Sequence, residues 1–193
     1  MRFDKGHKEQ TRRRIVETAA RRFRKEGVEA VGIAGLMADA GLTHGGFYAH
    51  FASKEELVRA ALDEASAQSQ TRRAEVLAQA PGPQSIEALV RFYLRPAHRD
   101  TPERGCAAAA LIAEIARHEP ETRAAFAARL SALLAQFEAA LPVEMEPEQK
   151  QRRAIGIFGC LLGTLQMARA VTDPALSDKM LECGIEAALA LAR

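Results

Sequence analysis

The sequence predicts an all-α fold, and three observations support that prediction. Alanine is abundant and aromatic residues make up only 5% of the 193 residues, a composition that favours helices. Apolar residues recur at helical spacing along most of the chain, whereas no long alternating segment rich in Val, Ile and Thr predicts a strand. Glycines and prolines separate the helical segments. We therefore expect about nine helices, arranged as one large domain or two small ones.

Three short helices are expected at the N-terminal end. The first covers about residues 10–25, and Gly27 behind it suits a left-handed C-terminal cap. The second covers about residues 33–40, where apolar residues fall on one face. The third covers about residues 43–50, and Thr43 is expected to cap it through its side-chain oxygen.

Six longer helices are expected to follow. The fourth helix opens at Ser53, which forms a capping box with Glu56, and it extends to about residue 79, where "PGP" stops it. The segment "AHRDTPERG", before Cys106, is predicted to be a loop. The other five helices are expected at about residues 84–95, 106–118, 120–141, 147–171 and 175–192.

Charge is distributed unevenly along the chain. Residues 1–54 hold eleven Lys and Arg against six Asp and Glu, a net of +5. Residues 55–193 hold sixteen against nineteen, a net of −3. A basic end suits a polyanion such as DNA, and the alternative is a solvated basic face without a partner.

The spacing of the cysteines and the length of the apolar runs indicate where in the cell the protein is expected. Three cysteines, Cys106, Cys160 and Cys183, form no CxxC pair, so the sequence indicates neither a disulfide framework nor a zinc site. No apolar run approaches the roughly 18 residues that span a bilayer, and the charged N-terminus lacks the apolar stretch of a signal peptide. We therefore expect a cytoplasmic protein with reduced thiols, no metal, no cofactor and no membrane partner.

The stretch "GLTHGGFYAHF", residues 41–51, concentrates hydrogen-bonding groups on a short helix. Two helices joined by a tight glycine turn form a helix-turn-helix, whose second helix enters the DNA major groove. Phe47 and Phe51, four residues apart, are expected to face the core. The side chains expected to meet phosphates or base edges are Thr43, His44, Tyr48 and His50, unless they are surface residues without a role.

The longer stretch "GIAGLMADAGLTHGGFYAHFASKEELVRAAL" resembles the DNA-binding signature of TetR/AcrR-type transcriptional regulators, and the match covers about residues 10–60. The resemblance implies a helix-turn-helix DNA-binding domain over residues 8–55 and a ligand-binding and dimerisation domain over residues 56–193. It also implies a homodimer paired through the last two helices. The residues that it implies in DNA binding are Thr43, His44, Gly45, Gly46, Tyr48, His50 and Lys54.

Two positions depart from the family pattern. Gly32 stands where the family usually has a Thr that caps its second helix, and glycine is an acceptable cap. Gly46 stands where Thr or Ser often reads a base, which puts direct readout in doubt. The adjacent glycines weaken the helix and let the backbone approach DNA closely.

An effector pocket is also expected among the fourth to eighth helices. Its candidate lining residues, each of which is alternatively plain core, are Phe92, Tyr93, His98, Phe126, Phe137 and Met167. The stretch "RGCAAAALIAEIARHEP" resembles the N-ethylmaleimide-responsive, electrophile-sensing branch of the family, in which a Gly-Cys pair opens a helix and the thiol reacts.

Cys106 is the candidate sensing thiol. We expect it in the first turn of a helix, two residues from Arg104, and both features favour the reactive thiolate. Cys160 and Cys183 lie inside apolar helices and are expected to be buried. The alternative is that Cys106 is a small buried apolar residue.

The favoured function is a ligand-responsive transcriptional repressor, released from a palindromic operator by a small molecule or an electrophile. One alternative is a small helical thiol-dependent enzyme, although no Cys-His-Asn, metal-binding or phosphate-loop motif is present. Another is an architectural DNA-binding protein, against which the net charge of only +2 argues.

Overall fold

The computed structural model describes residues 5–193, and these residues form helices without any strand. The all-α prediction is therefore confirmed. The α-helices are α1 (Lys5–Glu26), α2 (Ile33–Asp39), α3 (Lys54–Gln79), α4 (Ser85–Tyr93), α5 (Pro96–Asp100), α6 (Ala107–Ile115), α7 (Pro120–Ala140), α8 (Pro147–Ala170) and α9 (Pro174–Leu191). Three 3-10 helices cover His44–Ala49, Gly82–Gln84 and Pro102–Arg104. Within the described part of the chain, no helix is both long and apolar enough to cross a bilayer.

Backbone glycines end the first two helices as the sequence predicts. Gly27 follows α1 with a φ of +85°, and its N–H donates to the carbonyl of Phe23 at 2.9 Å. Gly41 follows α2 with a φ of +68° and makes the tight turn before the next helix. Both angles lie in the left-handed region that glycine adopts without steric cost.

The capping box at the start of α3 is confirmed, with one difference. The Ser53 hydroxyl accepts the N–H of Glu56 at 3.2 Å. The Glu56 carboxylate accepts the N–H of Ala52 at 2.8 Å, one residue before the cap. These bonds satisfy backbone N–H groups that have no partner within the helix, so the position at which α3 begins is well defined.

The predicted loop before Cys106 contains a helix that the sequence analysis missed. The helix expected over about residues 84–95 ends at Tyr93 in α4, and α5 then begins at Pro96. Proline suits the first position of a helix because its φ is already helical and its missing N–H needs no partner. Pro96 therefore starts a short helix rather than only ending the previous one.

Two hydrophobic cores meet along α3 and α6. The N-terminal core packs α1, α2, the 3-10 helix His44–Ala49 and the first half of α3 against three residues of α6, Ala107, Leu111 and Ile115. The C-terminal core packs α4 with α7, α8 and α9. α3 runs without interruption past residue 55, where the proposed domain boundary lies, so one rigid helix connects the two cores.

Candidate functional site

The recognition helix of the predicted helix-turn-helix is a 3-10 helix over His44–Ala49, not the α-helix expected over residues 43–50. Its N–H groups reach back three residues: Gly46 donates to Thr43 at 3.0 Å, and His50 donates to Phe47 at 2.9 Å. Two adjacent glycines lower α-helix stability by about 1 kcal/mol each relative to alanine, and short 3-10 turns tolerate them.

Phe47 and Phe51 fix this helix on the N-terminal core. They are 0% and 1% exposed, and their rings stack with centroids 5.7 Å apart. The guanidinium of Arg12 lies 4.5 Å from the centre of the Phe51 ring, so a cation–π contact joins α1 to Phe51. The two buried rings therefore anchor the weak helix to the N-terminal core. The prediction that Phe47 and Phe51 face the core is confirmed.

The outer face of the recognition helix carries the predicted polar groups. Thr43, His44, Gly45 and Tyr48 are exposed, and 64% of Tyr48 is accessible. His44 and Tyr48 make an edge contact with centroids 6.5 Å apart, so their polar ends share one face. The predicted Thr43 cap is wrong, because the side chain makes no cap bond and the carbonyl of Thr43 takes the N–H of Gly46 instead.

The two glycines differ in what a side chain would meet. A Cβ added to Gly45 would have no atom within 4 Å. A Cβ added to Gly46 would lie 3.7 Å from both the Met37 side chain of α2 and the Thr43 hydroxyl. A side chain at position 45 would therefore project into open space, whereas one at position 46 would contact the Met37 side chain of α2.

His50 and Lys54 lie at the edge of this face and are half-buried. Nδ1 of His50 is buried and has no hydrogen-bond partner among the described residues. Burial lowers the pKa of His50 below its usual value, and the positive charges of Lys8 and Arg12 add to that effect. His50 is therefore neutral at pH 7 in the free chain.

Comparisons with known proteins agree with this geometry. Residues 15–61 match the family model described as bacterial regulatory proteins, tetR family. The chain is 43% identical over 63 residues to the HTH-type transcriptional regulator TtgR and, equally, to the probable HTH-type transcriptional regulator ArpR, both of Pseudomonas putida. Each match spans 33% of this chain and 30% of the relative.

Solved structures resemble the chain over nearly its whole length. The TetR transcriptional regulator from Chloroflexus aurantiacus is 25% identical with a TM-score of 0.78, covering 97% of this chain and 94% of that one. Residues 15–61 thus match the tetR family model, and the whole chain has the fold of a TetR transcriptional regulator. The reduced form of NemR from E. coli has the same fold, at 23% identity and a TM-score of 0.76, covering 93% of this chain and 95% of that one. These similar proteins are described as transcriptional regulators, which disfavours the alternative of a thiol-dependent enzyme.

The larger, C-terminal part of the chain contains two adjoining clefts that share Cys106. One, with about 30 Å³ of internal space, is lined by Phe92, Tyr93 and His98 together with Cys106. The other, also with about 30 Å³, is lined by Phe126 and Cys106. We call the two together the inner cleft. It brings together four of the six candidate pocket residues and the candidate sensing thiol, Cys106.

Two of the candidate pocket residues lie elsewhere. Met167 is 54% exposed on the outer side of α8, so its assignment to the pocket is wrong. α8 is apolar on several sides, and periodicity alone does not show which side meets the core. Phe137 is 0% exposed and packs against Phe158 with ring centroids 6.0 Å apart, so it belongs to the C-terminal core.

His98 organises the wall of the inner cleft. Its Nδ1 lies 2.7 Å from the carbonyl of Tyr93, and its Nε2 accepts the backbone N–H of Cys106 at 3.0 Å. The proton therefore sits on Nδ1 of a neutral ring. Burial lowers the pKa of His98 to about 4. No residue larger than glycine fits at position 105 without a shift of His98, because an added Cβ would lie 2.7 Å from Nε2 of that ring.

The accessibility of the cysteines differs from the prediction. Cys106 is buried at 6% exposure and is the N-cap of α6 rather than a residue of its first turn. Cys183 is exposed and Cys160 is half-buried, so the expectation that both are buried is wrong. α9 turns the side that carries Cys183 away from the C-terminal core, which the sequence pattern did not show.

Arg24 connects the DNA-binding end of the chain to the inner cleft, a role that the sequence pattern does not predict. Only 4% of Arg24 is exposed, although the pattern of α1 placed it off the apolar face. Its guanidinium donates to the carbonyl of Gly105 at 3.0 Å and to the side chain of Gln68 at 3.1 Å. Burial lowers the pKa of Arg24 to about 10, so it stays charged at neutral pH. The available signal was its position four residues after the buried Ala20.

Proposed function

We propose that the chain is a TetR-type, ligand-responsive repressor that binds a palindromic operator as a homodimer and releases it when an effector enters the inner cleft. The observation that carries the proposal is the exposed polar face of the recognition helix. Thr43, His44 and Tyr48 offer hydrogen-bonding groups there, and Phe47 anchors the helix to the core beneath them. Such a face can contact phosphates and base edges in a major groove.

An exposed apolar face on the last two helices supports the homodimer. Apolar or small residues of α8 and α9 are accessible to solvent along one side of each helix. They are Ile155, Gly156, Gly159, Met167 and Ala170 on α8, and Leu176, Cys183, Ala187, Ala190 and Leu191 on α9. A contiguous apolar surface of this kind is usually covered by a partner, and a twofold pairing would use the same surface on both copies.

The proposed function predicts a dimer on two half-sites in the DNA flanking the chain's own gene. Because a twofold axis relates the recognition helices, we expect two protected half-sites about one helical turn apart, or slightly more. Tyr48→Ala should weaken operator binding by about tenfold or more, since it removes an exposed polar side chain. It also removes the edge contact between the Tyr48 and Phe47 rings, whereas the stacking of Phe47 on Phe51 remains. Footprinting, sedimentation and gel shifts measure these quantities.

The matched control is Val143→Ala. Val143 is 87% exposed, lies between α7 and α8 and is far in sequence from the recognition helix. Its substitution should leave operator affinity unchanged. A monomer that protects one asymmetric site, or equal losses in the two variants, contradicts the proposal.

Release of the operator is proposed to pass through Cys106 and Arg24. Cys106 borders the inner cleft, and the residue before it, Gly105, accepts the Arg24 hydrogen bond from α1. An electrophile that adds to the Cys106 sulfur, or a ligand that fills the cleft, would displace this segment. The displaced segment would loosen Arg24 and shift the position of α1, which favours the state that releases DNA.

The thiol route predicts selective labelling of the protein–operator complex. A maleimide forms one S–C bond as its C=C π-bond breaks, and the neighbouring carbon takes up a proton. Cys183 should label first because it is exposed, and this labelling should leave DNA bound. Slower labelling of Cys106, which is buried, should coincide with release, and Cys106→Ser should abolish that release.

Mass spectrometry and gel shifts on a Cys183→Ser background separate the two thiols. If DNA dissociates while Cys106 is unmodified, the thiol route fails and a reversible ligand of the inner cleft becomes the trigger.

A further inference from the structure

Three potential metal ligands converge where the N-terminal core meets α6. They are Glu29, in the turn between α1 and α2, Glu114 on α6, and His118 just after α6. One donor atom from each residue lies within 4.8 Å of the other two. The cluster lies outside the recognition helix, and none of its residues lines the inner cleft.

His118 is held as a metal-binding histidine usually is. Its side chain is only 6% exposed, and its Nδ1 lies 2.7 Å from a carboxylate oxygen of Glu55. Thr122 donates its hydroxyl hydrogen to the other oxygen of Glu55 at 2.5 Å, which fixes that carboxylate. A histidine that donates Nδ1–H to a carboxylate presents the lone pair of Nε2, and this is the usual outer arrangement around a metal-bound imidazole.

Nε2 of His118 is the unexplained atom of this cluster. It is buried and has no hydrogen-bond partner among the described residues. A buried polar atom without a partner destabilises the folded chain, so most such atoms in proteins are satisfied by a group, a water or an ion. The two nearby carboxylates are acceptors when ionised, and they cannot donate a proton to the lone pair. A cation between them would satisfy all three groups.

Glu114 is already oriented for this role. Its two oxygens accept the backbone N–H groups of Val28 at 2.9 Å and Glu29 at 2.6 Å. Each carboxylate oxygen retains a second lone pair after one such bond. Glu29 is exposed, so its side chain is free to adjust and close the site.

We propose that Glu29, Glu114 and His118 bind a divalent transition-metal cation, for which Zn²⁺ is the best match. Nε2 of His118 and one oxygen from each carboxylate would be the protein ligands, and solvent would complete the coordination. Zn²⁺ accepts this mixture of imidazole and carboxylate at about 2.0–2.2 Å. Mg²⁺ and Ca²⁺ prefer ligand sets made only of oxygen, so the imidazole disfavours them.

The site joins the DNA-binding end of the chain to the larger part. Glu29 belongs to the turn between α1 and α2, whereas Glu114 and His118 come from α6 and the residues after it. A bound cation would hold α6 against that turn and so restrict their relative movement. On the proposed repressor function, metal occupancy and operator affinity would then influence each other.

The experiment is a titration of the chelator-treated full chain with Zn²⁺, followed by calorimetry and thermal unfolding. All proteins carry Cys183→Ser, so that the exposed thiol does not compete. We expect one Zn²⁺ per chain and a higher Tm when the metal is bound. Glu29→Gln should weaken binding at least tenfold, and His118→Gln should weaken it further. Glu121→Gln, an exposed acid on α7, is the control and should bind like the parent.

Co²⁺ in place of Zn²⁺ identifies the ligands by absorption. The expected spectrum shows nitrogen and oxygen ligation that is lost in Glu29→Gln, a variant that should fold because Glu29 is exposed. The proposal is overturned if no stoichiometric binding occurs, if Glu29→Gln binds as tightly as Glu121→Gln, or if a sulfur-to-cobalt band appears. None of these measurements uses DNA, so the metal site and the repressor function can fail separately.

Discussion

Gly184→Ala is expected to destabilise the protein by about 2–3 kcal/mol, although it adds one methyl group to a helix. A Cβ at this position of α9 would overlap the side chain of Thr164 on α8 and lie 2.9 Å from its Cβ. α8 and α9 therefore cross at a point where only hydrogen fits. Relief requires the two helices to separate, and the C-terminal core lies between them and α4. Urea unfolding measures the loss, and the m-value shows whether the transition stays two-state.

Two further variants test the cause. Gly159→Ala makes the same chemical change in α8, where an added Cβ meets nothing within 4 Å, so we expect no loss and a gain of up to about 1 kcal/mol from helix propensity. Thr164→Ala in the Gly184→Ala background removes the nearest methyl and hydroxyl groups and should restore part of the stability. Equal losses in the two glycine variants, or no recovery in the double variant, would contradict steric overlap as the cause. Any loss in Gly159→Ala that depends on protein concentration would instead mark the proposed dimer face.

The helices were predictable because their signals are local. The glycine caps at Gly27 and Gly41, and the capping box at Ser53, act within one turn of the chain. Phe47 and Phe51 were assigned to the core from their spacing alone. The prediction failed where two local signals compete. Gly45 and Gly46 are weak in any α-helix, so the recognition helix tightens into a 3-10 helix, and Pro96 begins a helix where it was expected only to end one.

The polar contacts between the two cores could not be predicted because they join residues far apart in sequence. Arg24 bonds to Gly105 across 81 positions, and Glu114 bonds to Val28 across 86. Hydrophobic periodicity shows which face of a helix is apolar, but it does not show which polar group on another helix will meet it. The same limit explains the errors on Met167 and Cys183, whose helices are apolar on more than one side.

These contacts make the junction between the cores polar and specific. Arg24 is charged and buried, and its three bonds to Ala20, Gly105 and Gln68 satisfy a guanidinium that would otherwise be costly to desolvate. A hydrogen-bonded contact of this kind has few alternative arrangements of equal energy, whereas two apolar surfaces can shift relative to each other at little cost. In the proposed mechanism of release, a disturbance at Gly105 would reach α1 through this hydrogen bond.

Acid is expected to destabilise the wild-type chain more than the His98→Gln variant. Burial lowers the pKa of His98 in the folded chain to about 4, and the positive charges of Arg169, Arg95 and Arg72 act in the same direction. The bond from the ring to the carbonyl of Tyr93 opposes the shift but does not cancel it. In the unfolded chain the histidine titrates near its usual value of about 6.5. Between these two values the unfolded chain binds the proton more readily, so the stabilising contribution is complete above about pH 6.5 and is lost as the pH falls toward 4.

The lost stability should reach on the order of 3 kcal/mol, since about 2.5 pH units separate the two pKa values and each unit corresponds to 1.36 kcal/mol. A glutamine at position 98 can accept the N–H of Cys106 and donate to the carbonyl of Tyr93, so it keeps both bonds without a titrating ring. Urea unfolding of both proteins at pH 7 and at pH 4.5 isolates the effect, because the carboxylates and the other histidines titrate in both and cancel in the difference. Protonation would remove the Nε2 lone pair that accepts the N–H of Cys106. The segment around Gly105, to which Arg24 donates, should therefore be the first part of the chain to lose its structure in acid. Parallel pH curves for the two proteins would show that His98 titrates alike in the folded and unfolded chain, and burial would then not lower its pKa.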